Sequence, residues 1–288
     1  MDRPTLGFIG IGVVGGALAT ALHDVGYPIA AVYSRRRDRV TRLASLLASS
    51  HAADGPQDVV DRCELVFLTV SDDAIRPVCE SLAWNAQTAV VHCNGASSID
   101  LLAPAAAGGS ATGVLHPLQS FPTPEQAVAN IPGSPFGIEA SDEQLLDTLR
   151  RIAADLGGTA FVVRGDKAIY HASAVIASNY LVALLDLAAG LWERLGLTRD
   201  EGLRALLPLV RGTVENLERV GLPDALTGPI ARGDVGTIGR HLDALARVAP
   251  EVVPVYKELA RRTIPIAMEK GTIDRAEGQR LVHRLERG

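Results

Sequence analysis

The sequence is poor in cysteine, and its few cysteines are not spaced as ligands. Cys63, Cys79 and Cys93 are the three cysteines in 288 residues, and no two of them form a CxxC pair. Such scattered cysteines predict neither a zinc site nor a disulfide framework. We therefore expect a protein of the reduced cytoplasm without a metal centre.

An excess of positive charge is also missing. The chain has 28 Lys and Arg against 33 Asp and Glu, a formal net charge of −5. This balance argues against broad binding to nucleic acid or to an anionic membrane, so neither is an expected partner. With 47% apolar and 21% charged residues, the composition is typical of a globular protein.

Long apolar runs are lacking as well. No run free of charges and turn residues reaches the ~20 residues that span a bilayer. The stretch Leu6–Leu22 could be a secretory signal, with Ala19-Thr20-Ala21 as a cleavage-like site. However, Asp2 and Arg3 give it no net positive start, and its five glycines suit such a signal poorly.

Glycine is abundant near the N-terminus, in a pattern with a chemical meaning. The apolar run Leu6–Ile9 leads into Gly10-Ile-Gly12-Val-Val-Gly15, and an Ala/Leu-rich helical pattern follows. Gly10 would permit a tight turn, Gly12 would admit a pyrophosphate, and Gly15 would allow close helix–strand packing. The predicted pyrophosphate contacts at the helix N-terminus are Gly10, Gly12, Val13, Val14 and Gly15. The alternative is a buried βα unit whose glycines serve packing alone.

The next predicted strand, Ile29–Tyr33, ends in a basic segment. An NAD site places Asp or Glu about twenty residues beyond the glycines, at the end of this strand. Here Ser34 is followed by Arg35, Arg36 and Arg37, and a hydroxyl with guanidinium groups matches a 2′-phosphate. Ser34, Arg35 and Arg36 therefore predict NADP as the cofactor. The alternative is the solvated start of a basic helix, which Arg39 and Arg42 would continue.

Strand-like and helical patterns alternate through the first half. The predicted strands are Leu6–Ile9, Ile29–Tyr33, Leu65–Val70, Ala89–His92, Gly113–Leu115, Phe136–Glu139 and Ala160–Val163. This alternation predicts an α/β Rossmann domain over residues 1–165, with a doubly wound, mostly parallel sheet. Ligands bind beyond the carboxyl ends of such strands, so Val70, Ser71, Asn94 and Gly95 are further predicted cofactor contacts. Five prolines between His116 and Pro135 predict mainly loop there.

After Gly165 the pattern becomes helical throughout, which predicts an all-α domain over residues 166–288. Asp166–Leu195 is apolar on most faces, with Asp166 as N-cap and Gly196 at its end. Such a helix is buried in a core or a subunit interface, so we expect a homodimer. Further helices are predicted over about 199–220, 234–247, 250–270 and 273–286.

Polar residues follow one stripe of the long helix. Lys167, His171, Ala174 and Ser178 recur at helical spacing, and Asn179 lies at the rim. Buried polar groups need partners, so the stripe is a candidate site. Alternatively, Lys167 extends to solvent from the first turn while His171 and Ser178 bond to backbone. Two loop segments are also candidates, His116–Phe121 and Thr227–Asp234, the latter with Thr227 and Arg232.

These features resemble the 6-phosphogluconate dehydrogenase-like superfamily, which includes 3-hydroxyisobutyrate dehydrogenase, ketopantoate reductase and pyrroline-carboxylate reductase. HPLQSF (116–121), DKAIYHASAVIASNY (166–180) and ALTGPIARGD (225–234) look like one family within it. That family joins a Rossmann-like domain to a C-terminal domain of long-unassigned function, and some members are associated with ketopantoate reduction.

The resemblance assigns roles to several residues. Lys167 matches a lysine that several of these dehydrogenases use as general acid/base. His171 stands where many relatives have a substrate-positioning Asn, and Thr227–Arg232 replaces the Gly-Gly-Thr loop of pyrroline-carboxylate reductases. The hypothesis is an NADPH-dependent reductase of a small 2-oxo acid, with ketopantoate first. Lys167 and His171 would be catalytic, while His116, Ser178, Asn179, Thr227 and Arg232 would bind substrate. The alternatives are an imine or pyrroline-carboxylate reductase and an inactive NADP sensor.

Overall fold

The computed structural model describes residues 3–47 and 50–287, which form two compact units, Met1–Ser178 and Asn179–Gly288. The strands of the first unit are β1 (Leu6–Ile9), β2 (Ile29–Tyr33), β3 (His51–Ala52), β4 (Leu65–Leu68), β5 (Ala89–His92), β6 (Thr112–Pro117), β7 (Pro135–Ala140) and β8 (Thr159–Val162). Its helices are α1 (Val13–Asp24), α2 (Arg37–Leu46), α3 (Pro56–Arg62), α4 (Asp72–Glu80), α5 (Ala103–Ala107), α6 (Pro124–Asn130), α7 (Glu143–Asp155) and α8 (Lys167–Ala177).

The eight strands form one sheet in the order β3-β2-β1-β4-β5-β6-β7-β8. Neighbouring strands are parallel except β6 and β7, which are antiparallel with His116 opposite Gly137. The predicted doubly wound, mostly parallel sheet is therefore confirmed. The strand order reverses between β1 and β4: β2 and β3 follow on one side, and β5 and β6 follow on the other. Such sheets bind ligands in the crevice at the carboxyl ends of the two strands where the order reverses.

Helices cover both faces of the sheet because its central strands are apolar on both sides. Phe8 and Phe67 lie on one face, with their rings stacked 4.8 Å apart, while Ile9 and Leu68 point to the other. Strands buried on both faces read as continuous apolar runs, and for that reason the sequence located them closely. The two-residue strand β3 was not predicted, since it is too short to carry a pattern.

The segment from His116 to Pro135 contains the predicted loops on both sides of a helix that was not predicted. It contains α6, which starts with Pro124 at its first turn and is capped by the Thr123 hydroxyl accepting a bond from the Gln126 N–H. Proline is compatible with the first turn of a helix because its missing N–H would be unpaired there anyway. Counting prolines without their position misassigned these residues.

The second unit is helical in its described residues, as predicted. Its helices are α9 (Asn179–Gly190), α10 (Arg199–Val220), α11 (Val235–Val248), α12 (Val253–Glu269) and α13 (Arg275–Arg287). The last three pack around Ile238, Leu242, Ile264 and Leu281. Helix α10 begins with a capping box between Thr198 and Glu201 and packs against α9. The first unit includes α8, whose Lys167 and Tyr170 contact β7 and β6, and the predicted domain boundary at 165 stays a prediction.

The predicted helix Asp166–Leu195 exists but is not buried in this single chain. Asp166 caps it and Gly196 ends it with φ +82°, while Ser178 separates α8 from α9. Ile169, Ile176 and Val182 are each more than 60% exposed. An 18-residue window of Lys167–Leu195 has a mean hydropathy of 1.7, so this segment is also long and apolar enough to cross a membrane by length and composition alone. The segment includes Lys167, Asp186 and several turn residues, so it is not the charge-free run of ~20 residues whose absence the sequence analysis noted.

Candidate active site

The glycine-rich turn between β1 and α1 has the geometry that its spacing predicts. Gly10 has φ +102°, and a Cβ there would lie 2.7 Å from the Thr69 backbone. A Cβ on Gly15 would collide with the Gly10 carbonyl oxygen and the Thr69 hydroxyl, so α1 approaches the sheet closely. A Cβ added to Gly12, the N-cap of α1, would have no protein atom within 4 Å. The space beside Gly12 is therefore open, as the approach of a pyrophosphate requires.

The first turn of α1 supplies the partner for that anion. It begins at Val13 and Val14, no side chain caps it, and it contains no acidic residue. Its backbone N–H groups and the positive end of the helix dipole are therefore available to a phosphate. The residues present fit the pyrophosphate of a dinucleotide.

The basic residues after β2 do not all have the same role. Arg37 donates to the Ala53 carbonyl oxygen at 2.7 Å and to Asp54, so its guanidinium holds the loop before α3. Arg39 reaches back to the Ile11 carbonyl oxygen in the glycine-rich turn at 3.2 Å. Arg36 lies 3.4 Å from Asp38, and the Ser34 hydroxyl accepts from the Arg36 N–H. Arg35 is exposed and bonds to no described residue.

The predicted contacts after β4 and β5 lie at the carboxyl edge of the sheet. Ser71 follows Val70 and is the N-cap of α4, without a side-chain bond to the helix. Asn94 is 9% exposed, and its Oδ1 accepts from the Ala96 N–H at 2.7 Å, which shapes the turn containing Gly95. Beside it, buried His92 accepts from the Asn94 N–H and lies 3.0 Å from the Ser98 carbonyl oxygen. Burial lowers the pKa of His92.

Helix α8 runs along β7 in the opposite direction and places two polar side chains on that strand. Lys167 is 6% exposed, and its Nζ lies 2.9 Å from Oε2 of Glu139. The two groups form an ion pair, but their geometry is not that of a hydrogen bond to Oε2. The alternative that Lys167 extends to solvent is therefore wrong, because its ammonium is held inside the protein by a carboxylate.

One helical turn later, Tyr170 joins His116 on the same face of the sheet. The Tyr170 hydroxyl lies 2.7 Å from Nδ1 of His116, and the two rings pack edge to face. Burial, and then the nearby His171 and Lys167, lower the pKa of His116 to about 4. Burial raises the pKa of Tyr170 to about 12. Both groups are therefore neutral at pH 7.

The remaining predicted residues are distributed over both units. The half-buried His171 ring lies 6.2 Å from the His116 ring, so the structure brings Lys167, His116 and His171 together. Ser178 is exposed at the end of α8, and Asn179 begins the second unit. Thr227 and Arg232 are exposed in the second unit, where Asp234 caps α11 through a bond from the Thr237 N–H. The contribution of Asn179, Thr227 and Arg232 to the site stays a prediction.

Three residues at this site were missed by the sequence analysis: Arg39, Glu139 and Tyr170. Glu139 is a single acidic residue inside an otherwise apolar strand, PFGIEA, and that isolation is a usable signal. Tyr170 lies three residues after Lys167 on the same helix face, but the sequence analysis did not include it in the polar stripe. Arg39 was included only as part of the basic helix start.

A separate concavity of about 1280 Å³ lies at the opposite, amino-terminal edge of the sheet. Its lining includes Arg3, Glu64, Gln87, Ser110, Asp142 and Arg151. None of the predicted site residues lines it. The glycine-rich turn and the polar cluster, rather than this concavity, carry the features of a reaction site.

Two family models match the chain. Residues 1–117 match a Rossmann-like domain, and residues 134–263 match a family described as a domain of unknown function, DUF2520. No curated protein matches the sequence.

Several solved structures are similar over nearly the whole chain. A Thermotoga maritima protein is 28% identical with a TM-score of 0.74, covering 92% of this chain and 99% of its own. A Bacteroides fragilis protein, whose name proposes an NADP oxidoreductase, is 26% identical with a TM-score of 0.69, covering 91% and 98%. A Streptococcus pyogenes 1-pyrroline-5-carboxylate reductase is 18% identical with a TM-score of 0.65, covering 93% and 99%. This last likeness concerns the fold alone. The chain thus joins a Rossmann-like domain to a helical region, and most of the DUF2520 match lies in that region.

Proposed function

We propose that the protein is an NADPH-dependent reductase of a small carbonyl compound. The observation that carries this proposal is the buried Lys167–Glu139 pair next to His116, in the same unit as a glycine-rich turn open at Gly12. A buried ammonium close to a neutral imidazole suits a site where an oxygen gains negative charge. The names of similar solved structures, among them the Bacteroides fragilis protein, support an NADP-linked oxidoreductase.

NADP is the proposed cofactor because of the end of β2. Ser34 stands where an NAD site carries an acidic residue, and Arg35 is exposed beside it. The reduced nicotinamide would supply the hydride, as in other cofactor enzymes of this fold. The protein supplies the rest: α1 holds the pyrophosphate, Arg35 and Arg36 bind the 2′-phosphate, and Lys167 gives a proton to the substrate oxygen.

The first substrate candidate is a 2-oxo acid such as ketopantoate, with Arg232 taking the carboxylate and His171, Ser178 and Asn179 orienting the molecule. An imine or pyrroline-carboxylate type of substrate is equally supported. Structures of that fold include a reductive aminase from Aspergillus terreus, 17% identical with a TM-score of 0.63, covering 98% of this chain and 99% of its own. An inactive NADP sensor is the remaining candidate.

The deciding experiment is NADPH oxidation by the full chain with a panel of 2-oxo acids and cyclic imines. Turnover of ketopantoate or a related oxo acid is the expected result, and Lys167→Ala should lower its kcat by about 10²–10⁴, the scale of a general acid. Preference for imines would select the second candidate. NADPH binding without turnover of any compound would favour the NADP sensor and overturn the proposed reductase activity.

We also propose that two copies pair through apolar side chains that α8 and α9 each expose. Ile169 and Ile176 of α8 are exposed by 72% and 63%, and Val182 of α9 is exposed by 69%, which is unusual for large apolar side chains so close in the chain. A second copy of the same segment would cover them symmetrically. Pairing with itself accounts for this surface without a membrane.

A further inference from the structure

The hydrogen bond between His116 and Tyr170 connects a strand end with α8 and determines where the imidazole proton lies. The phenolic oxygen is 2.7 Å from Nδ1, and no described residue bonds to Nε2. His116 is not fully buried and keeps part of its surface exposed. The imidazole thus has one fixed nitrogen and one that is free to meet a ligand.

The chemistry of the two groups sets the direction of this hydrogen bond. A neutral phenol is a better donor than an imidazole N–H, and a bare imidazole nitrogen is a better acceptor than a phenolic oxygen. Tyr170 therefore donates to Nδ1, and a neutral imidazole that accepts at Nδ1 carries its proton on Nε2. Burial keeps both groups neutral, since it raises the pKa of Tyr170 to about 12 and is the main cause that lowers that of His116 to about 4.

Two glycines make this arrangement possible. His116 lies opposite Gly137 in the strand pairing, and a Cβ on Gly137 would lie 2.7 Å from the Tyr170 hydroxyl oxygen. At the other side of the ring, a Cβ on Gly95 would lie 2.6 Å from Nε2 of His116. Larger residues at either position would displace the phenol or the imidazole, so the pair occupies space that the backbone leaves open.

We propose that His116 donates a hydrogen bond through Nε2–H to the substrate atom that gains negative charge, and that Tyr170 is its positioning residue. The proposal rests on the proposed function and adds a second donor beside Lys167. His116 keeps its proton throughout, because a neutral imidazole gives it up only at high pH. Its role is to stabilise charge with a donor already in place, whereas Lys167 transfers the proton.

The protein contains a matched control. His241 and Tyr256 in the second unit form the same kind of pair, with 2.8 Å between Nδ1 and the hydroxyl oxygen and the rings edge to face. That pair is exposed and lies among residues without a proposed role. Removal of the Tyr256 hydroxyl therefore tests what the loss of any Tyr–His bond does to this protein.

The first measurement reads the proton position directly and needs no turnover. Long-range ¹H–¹⁵N correlation spectra of the labelled full chain should show His116 with a bare Nδ1 and a protonated Nε2 at pH 7, unchanged at pH 5.5. Tyr170→Phe should remove this fixed tautomer, whereas Tyr256→Phe should leave His116 unchanged. A proton on Nδ1, or a charged ring at pH 5.5, would overturn the proposal.

The second measurement compares two amides of different reach at position 116. The Gln amide N–H can extend to the position of Nε2, whereas the Asn amide cannot. We expect His116→Asn to lower kcat by about 10²–10³, the effect of removing one preorganised donor, and His116→Gln to recover much of it. NADPH affinity should stay constant in both, and Tyr170→Phe should lower kcat without raising KM.

The outcomes separate this proposal from the function on which it rests. Normal turnover by His116→Asn, folded as judged by its Tm, would overturn the donor role and leave the reductase intact. An equal loss of kcat in His116→Asn and His116→Gln would mean that His116 has only a structural role. A wild-type chain that binds NADPH but reduces nothing in the panel would overturn both.

Discussion

The ammonium of Lys167 lies 2.9 Å from Oε2 of Glu139, so the first residue of α8 is tied to the antiparallel strand β7. Lys167 is almost fully buried, while the Glu139 side chain keeps 24% of its surface exposed. The two partners are therefore not equivalent. Loss of the carboxylate leaves a buried charge unpaired, whereas loss of the lysine leaves a carboxylate that water still reaches.

This asymmetry gives a stability prediction. Glu139→Gln should lower the free energy of unfolding by about 1–3 kcal/mol, less than for a fully buried pair because Glu139 is partly solvated. Lys167→Met should cost less, and the double variant should recover most of the loss of Glu139→Gln. Urea denaturation of the four proteins measures the coupling. Additive losses would mean that the two side chains do not interact.

The glycines of the first turn should separate binding from folding. Gly12→Ala should keep the Tm, because its Cβ meets no protein atom, yet weaken NADPH binding where the pyrophosphate would approach. Gly15→Ala should lower the Tm, because its Cβ would collide with the Gly10 carbonyl oxygen. Thermal unfolding and NADPH titration distinguish the two. A Gly12→Ala protein with normal NADPH affinity would contradict the assignment.

The arginines after β2 should differ in their effect on cofactor preference. Arg35→Ala should weaken NADPH binding about ten- to a hundredfold, the loss of a charge-assisted hydrogen bond, and leave NADH binding unchanged. Arg37→Ala is the matched control, because its guanidinium already holds the Ala53 carbonyl oxygen. It should lower stability but keep the preference for NADPH. Equal affinity of the wild type for both cofactors would refute the NADP assignment.

His116 should make stability depend on acid. Its pKa in the folded protein is about 4 against an ordinary 6.5, so the unfolded chain binds this proton more readily between those values. Stability should therefore fall as the pH drops from about 6.5 to 4, by about 1–2 kcal/mol for this half-buried ring. His116→Gln should show a smaller drop than the wild type in urea unfolding at both pH values. Identical pH dependence in the two would contradict a buried neutral His116.

The apolar side chains exposed on α8 and on α9 should hold a dimer together. Light scattering at micromolar concentration should give twice the chain mass, and Ile176→Glu with Val182→Glu should shift it to the monomer. Leu46→Glu is the control, since Leu46 is a similarly exposed apolar residue on α2. A wild-type monomer at that concentration would refute the pairing.

The sequence alone predicted most of the elements that form the candidate cofactor site. Leu6–Ile9, Ile29–Tyr33 and Ala89–His92 are observed at their predicted bounds, because buried parallel strands are continuous apolar runs. The tight turn at Gly10 and the close packing at Gly15 were predicted from the glycine spacing, and the pyrophosphate contact of Gly12 stays a prediction. Helix α10 was also predicted at its observed bounds, about 199–220.

Only the tertiary structure decided the partners of the polar residues. Lys167 and Glu139 are far apart in the chain, and the antiparallel placement of β7 in the sheet brings them together. No periodicity of the sequence predicts this contact. The Tyr170–His116 bond depends on Gly137, a neighbour set by strand register. Arg37 has the same side chain as Arg35, yet a carbonyl oxygen from a distant loop occupies it. Local patterns determine which elements form, whereas long-range contacts determine which side chains meet and therefore what the site can do.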